Sequence, residues 1–126
     1  MTVMARVLIC EDEAAQRTFY QTVLEKAGHE VITAETGTKA LQALEDRNAD
    51  ILVMDIRMPD MHGLELLENL RRRNHKLPII VASALQALED SFEVKTYGVG
   101  AFLAKPVEVK ELVATVARLT GEPAAA

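Results

Sequence analysis

Three features of the chain predict an α/β fold, a three-layer α/β/α sandwich built on one parallel sheet. Short apolar runs alternate with amphipathic stretches five times over. The runs are only four or five residues long, β-branched and without polar alternation, as expected of strands buried on both faces. Five such strand-helix units in about 120 residues imply crossover connections, and hence helices on both sides of the sheet.

The elements follow in order. The expected strands are Val7 to Cys10, His29 to Thr33, Ile51 to Met54, Ile79 to Ala82 and Ala101 to Ala104. Phe19, Val23 and Ala27 recur at i, i+4 and i+8 on a first helix, and Gly28 follows as its stop. Ala40, Leu41 and Leu44 mark a second helix, Leu64, Leu67 and Leu70 a third, and Leu112, Val113 and Val116 the C-terminal one. The segment from Leu85 to Tyr97 is the weakest helix, because Val94-Lys95 leaves it a thin apolar face.

With 126 residues the chain is expected to be one domain, residues 1–126, with a core at about 5–120 and a frayed Ala-rich tail at 121–126. Met4 would serve as a start as well as Met1. A net charge of -5 argues against direct nucleic acid binding. Arg71-Arg72-Arg73 is the only basic cluster and reads as the solvated end of a helix. A single cysteine, Cys10, excludes an internal disulfide and fits a reducing compartment. No apolar run is long enough for a membrane span and no signal-peptide pattern opens the chain, so a cytoplasmic location is expected.

Chemistry gathers immediately after the strands. The first ends in Glu11-Asp12, the third in Asp55, the fourth in Ser83 and the fifth in Lys105-Pro106. Ligands of open α/β sheets bind at the C-terminal strand edge, where the strand order reverses. If the order is 2-1-3-4-5, three carboxylates, a hydroxyl and an ammonium converge there. Each residue alone has an ordinary explanation: a loop acid or N-cap, a strand terminator, a surface lysine. Their coincidence on one edge does not. Clustered acids need a cation, and one or two carboxylates with water and phosphate oxygens suit Mg²⁺. A carboxylate can form an aspartyl-phosphate, and Lys105 and the Ser83 hydroxyl can share the phosphoryl oxygens.

From about residue 5 to 120 the chain resembles the receiver domains of two-component response regulators. The resemblance rests on Val7 to Asp12, on the stretch Met54-Asp55-Ile56-Arg57-Met58-Pro59-Asp60-Met61-His62-Gly63, on Val81-Ala82-Ser83-Ala84, on Lys105-Pro106, and on the spacing between them. It implies a flavodoxin-like sandwich with a five-stranded parallel sheet ordered 2-1-3-4-5. It implies Asp55 as phosphoacceptor, and Glu11, Asp12, Asp55 and the Arg57 backbone carbonyl as Mg²⁺ ligands. Lys105 would contact the phosphoryl group, Pro106 would follow a cis bond, and Ser83 and Phe102 would form the switch pair. The implied donor is a histidine kinase or phosphotransfer protein. The implied output is a downstream protein or a homodimer formed through the Leu85–Tyr97 helix, the fifth strand and the last helix. No free-standing enzymatic activity is expected.

The chain departs from the family pattern in four places: Glu11 lengthens one acidic arm, Ser83 replaces the commoner Thr, Phe102 the frequent Tyr, and His62 the usual loop Asp. His62, His29 and His75 read as surface residues without metal spacing. Arg57 and Leu85, two residues beyond Asp55 and Ser83, are poor at orienting water, which implies a long-lived phosphoprotein. Two rivals fit less well. A haloacid-dehalogenase-type phosphatase wants a second acid where Arg57 stands, and a pseudo-receiver would have lost Asp12, Asp55 or Lys105.

Overall fold

The computed structural model describes residues 5–46, 48–57, 60–73, 76–84 and 97–121. The five runs become β1 (Arg6–Cys10), β2 (Glu30–Ala34), β3 (Ile51–Met54), β4 (Ile79–Ser83) and β5 (Ala101–Ala104). All neighbours pair in parallel, in the order β2-β1-β3-β4-β5. The described helices are α1 (Ala14–Lys26), α2 (Gly37–Asp46), α3 (Gly63–Arg73) and α4 (Val109–Thr120). The expected helix from Leu85 lies almost wholly outside the described residues, with Leu88, Phe92 and Lys95, as do Met58, Pro59 and His75.

The missing alternation in the strands has a direct cause. Leu8, Cys10, Leu52, Met54 and Val81 pack to one side, with Ala40 of α2 and Leu66, Leu67 and Leu70 of α3. Their sequence neighbours Val7, Ile9, Ile51, Val53 and Ile80 pack to the other, with Tyr20 and Leu24 of α1 and Leu112 and Val116 of α4. Successive side chains leave opposite faces of a strand, so a strand with two covered faces is apolar at every position.

Three expectations need correction. On α1 the buried residues are Tyr20 and Leu24, while Phe19 is 38% exposed. A stripe started one residue early is rotated by about 100° around the helix, so it named a flank rather than the core face. The Tyr20 hydroxyl has no hydrogen-bond partner among the described residues, and burial pushes its pKa up to about 12.

His29 is buried, at 6% exposure, rather than on the surface. Gly28, at φ +99, ends α1 in the left-handed region and turns the chain straight into β2. His29 is thereby tucked beside the start of β1, where its Nδ1 accepts the Ala5 N–H at 3.3 Å.

Arg71 is likewise more than a solvated helix end. Its guanidinium donates to the carbonyls of Leu77 (2.8 Å), Tyr97 (2.5 Å) and Gly98 (3.1 Å), tying α3 to the segments that enter β4 and β5. Burial lowers its pKa. Arg72 pairs with Glu68 and Arg73 with Glu45, so all three arginines have partners within the domain.

Among the described residues no helix is long and apolar enough to cross a membrane. The Cys10 thiol is buried, and its pKa is pushed up to about 12, first by burial and then by the charges of Asp60, Glu11, Asp12 and Asp55. The thiolate is the reactive form, and a raised pKa leaves almost none of it at pH 8. Iodoacetamide at pH 8 should therefore label the native protein far more slowly than the denatured protein. Equal rates would show that Cys10 is accessible.

Candidate functional site

β1 and β3 are neighbours in the middle of the sheet, and β2 lies on the far side of β1. The order reverses at β1, and ligands of such sheets bind at the carboxyl ends of the strands at that point. Cys10 is level with Met54, so the residues after them emerge side by side. The Glu11 N–H donates to Ala34 O at 3.0 Å and the Asp55 N–H to Cys10 O at 3.3 Å, fixing both acids at the carboxyl edge.

Lys105 arrives from β5 and joins them. Its ammonium donates to Asp55 Oδ2 at 2.6 Å and to Glu11 Oε1 at 2.8 Å. The Lys105-Pro106 bond is cis, as the resemblance implies. The second oxygen of each acid is also engaged. Glu11 Oε2 accepts the Glu13 N–H at 3.1 Å, and Asp55 Oδ1 accepts the Arg57 N–H at 3.1 Å.

The two ends of the Glu11–Lys105 bridge lie in different surroundings, with side chains 2% and 18% exposed. Burial raises the Glu11 pKa, and the Lys105 and Glu13 hydrogen bonds only partly offset it. Burial works against the Lys105 ammonium too, but its bonds to Asp55 and Glu11 prevail and hold its pKa above the usual lysine value. The bridge thus protects the cation more than it protects the Glu11 anion.

Asp12 is exposed beside this cluster. Among the described residues, no three His, Cys, Asp or Glu side chains stand close enough together to enclose a metal ion. The Lys105 ammonium lies between Glu11 and Asp55 and supplies their countercharge. Three carboxylates and one ammonium still leave a formal charge of −2. An all-oxygen set with that residual charge suits a hard divalent cation that keeps some of its water.

Ser83 and Phe102 sit on the neighbouring strands β4 and β5. Ser83 is buried at the end of β4, and its carbonyl accepts the Lys105 N–H at 3.1 Å. Phe102 is half-buried on β5 opposite Val81, and packs toward the core that includes α2 and α3. His62 is exposed as expected, and its Nδ1 accepts the Leu64 N–H at 3.2 Å in the first turn of α3.

Two site residues went unrecognised in the sequence. Arg17, one turn into α1, donates to the carbonyls of Glu11 (2.9 Å) and Asp12 (3.2 Å) and so holds the acidic loop. Asp60 accepts the N–H groups of Gly37 and Thr38, both at 2.9 Å, and the Thr38 hydroxyl at 2.5 Å. Both residues act largely on backbone atoms, and a backbone partner leaves no signature in residue spacing.

Comparison with known proteins agrees with this geometry. The sequence pattern of the response regulator receiver domain matches residues 7–117. The DNA-binding transcriptional regulator NtrC of Escherichia coli is 35% identical over 112 residues, covering 89% of this chain but only 24% of NtrC. The chain thus spans about a quarter of that relative's length. Among solved structures, the chemotaxis response regulator CheY4 of Vibrio cholerae superposes with a TM-score of 0.85 at 31% identity, covering 93% of this chain and 99% of CheY4. The response regulator TrrA of Thermotoga maritima, solved in complex with Mg(2+)-BeF, gives a TM-score of 0.85 at 28% identity, covering 92% and 99%. With residues 7–117 matching the family pattern and five parallel strands in the order β2-β1-β3-β4-β5, this chain belongs to the response regulator receiver domain family.

Proposed function

We propose that this receiver domain accepts a phosphoryl group on Asp55, with Mg²⁺ held by Asp12, Asp55 and the Arg57 carbonyl, and by Glu11 directly or through water. The observation that carries this reading is the Lys105 ammonium, bonded at once to Asp55 and to Glu11 from 50 and 94 residues away. Such a convergence at a switch point is what phosphoryl transfer needs, since the reaction depends on positioning and charge neutralisation. The Mg(2+)-BeF complex of TrrA supports the choice of metal.

In the reaction an Asp55 carboxylate oxygen attacks the phosphorus of a phosphohistidine on a kinase or phosphotransfer protein. The new P–O bond forms as the P–N bond breaks, and the histidine nitrogen leaves with the electron pair. Lys105 keeps a hydrogen bond for an incoming phosphoryl oxygen, and the Arg57 N–H steadies the oxygen of Asp55 that it already contacts. Mg²⁺, when bound, neutralises the phosphoryl oxygens. Ser83 and Phe102, on neighbouring strands, then carry the change to a protein partner or second copy through the face that includes β5 and α4. The domain speeds its own modification without turning over a separate substrate, and works in the cytoplasm.

Incubation with acetyl phosphate and Mg²⁺ tests the reading directly. Intact-mass measurement should show a single added phosphoryl group, stable in acid and lost in mild base. A protein that stays unmodified, or a label that survives base, would overturn the assignment.

A further inference from the structure

The N-terminus of α2 is satisfied in an unusual way. The first N–H groups of a helix have no partner within it. Here the Lys39 N–H donates to Thr36 Oγ1 (3.1 Å) and the Ala40 N–H to Thr36 O (3.0 Å), which is a local cap. The Gly37 and Thr38 N–H groups instead reach a carboxylate more than twenty residues away, that of Asp60, five positions beyond the phosphoacceptor. The Thr38 hydroxyl adds a third bond to it.

An apolar contact lies beside these bonds. A Cβ on Gly37 would stand 2.6 Å from the Met61 side chain, so any larger residue there would have to displace Met61. At its other end the same loop is drawn shut. The Gly63 N–H donates to Ile56 O at 2.7 Å, and a Cβ on Gly63 would meet Ile56 Cα at 2.5 Å. Ile56, next to Asp55, is therefore held to Gly63, and Asp60 and Met61 are held to the start of α2. The opposite end of the brace touches the acidic loop, because Thr36 O accepts the Cys10 thiol (3.5 Å) and Ala34 O accepts the Glu11 N–H (3.0 Å).

We propose that Asp60 is a positioning residue for the metal-assisted phosphoryl transfer. By capping α2 across the loop, it fixes the Asp55–Arg57 backbone relative to Glu11 and Asp12, and so sets the affinity of the site for Mg²⁺. The inference rests on the function proposed above. Residues that orient the ligands of a metal, without touching it, commonly change affinity by a factor of 10 to 100.

The test is calorimetric titration with MgCl₂ at a temperature far below melting, where a change in stability alone leaves the affinity of the folded protein unchanged. Asp60→Ala should weaken Mg²⁺ binding about tenfold. Thr38→Val, which removes one of the three bonds, should weaken it less, and Thr38→Ser should restore it. Amide exchange at Gly37 and Thr38 should rise in step with the loss. If Asp60→Ala fails to fold, the Thr38 pair decides: equal affinity in Thr38→Val and wild type overturns the proposal. A wild type that binds Mg²⁺ while Asp60→Ala binds it equally well refutes the role of Asp60 alone. A wild type that ignores millimolar Mg²⁺ removes the metal reading and this inference together.

Discussion

Asp55→Asn is expected to leave no measurable phosphoryl label after incubation with acetyl phosphate and Mg²⁺, under conditions that modify the wild type fully. The carboxamide has the size of the carboxylate and keeps an oxygen that can accept from Lys105 or from the Arg57 N–H, which now hold Asp55 at 2.6 and 3.1 Å. The anionic nucleophile is what disappears, so the loss should be close to complete while the circular dichroism spectrum stays unchanged. Label at an undiminished level would move the acceptor to another residue. Because Glu11 and Asp12 remain in the variant, it also asks whether either can substitute. Their geometry says no, since the Glu11 side chain is more deeply buried than that of Asp55 and Asp12 is exposed at the margin.

Lys105→Met should have the largest effect on stability. It leaves the Glu11 carboxylate buried without its cation and removes the only ammonium bonded to Asp55 among the described residues. Breaking a buried ion pair from one side commonly costs 3–5 kcal/mol. Lys105 keeps some contact with solvent, so about 3 kcal/mol is expected here, or a fall in melting temperature of roughly 10 °C. The same variant should respond more strongly to Mg²⁺ than the wild type does, because the metal no longer competes with an ammonium for Glu11 and Asp55 and binding stabilises the native state by mass action. Thermal melts with and without millimolar MgCl₂ check both statements. An Mg²⁺ shift no larger in the variant would mean that the lysine and the metal do not compete.

Much of the fold and the charged centre was legible in the sequence because both rest on patterns that survive in one dimension. Ile51–Met54 and Ala101–Ala104 match the expected strands residue for residue, since a strand covered on both faces can hardly be anything but an apolar run. Glu11, Asp55 and Lys105 were visible because each follows such a run directly. The residues that escaped, Asp60, Arg17 and Arg71, are charged side chains whose partners are chiefly backbone N–H groups or carbonyls outside their own element. His29 escaped for a related reason: Gly28 bends the chain so sharply that a polar residue at the mouth of a strand is carried inside. The register error on α1 has a different origin. Phe19, Tyr20, Val23 and Leu24 offer two overlapping apolar stripes, and only packing against the sheet selects the second.

The wiring of the sheet also bears on how the molecule comes into being. As the chain is synthesised, β1 and β3 can pair once residue 54 is available, which brings Glu11 and Asp55 face to face. Their counter-ion is still missing, because Lys105 lies 94 residues from Glu11 and follows the last strand made. Contacts so remote in sequence slow folding, since a long loop must close before they form. The final strand-helix unit therefore does two things at once when it docks. Leu103, Leu112 and Val116 complete the apolar layer shared with α1, and Lys105 relieves the repulsion between two carboxylates assembled earlier. The charged centre proposed above to receive a phosphoryl group thus also couples the first strand of the domain to the last.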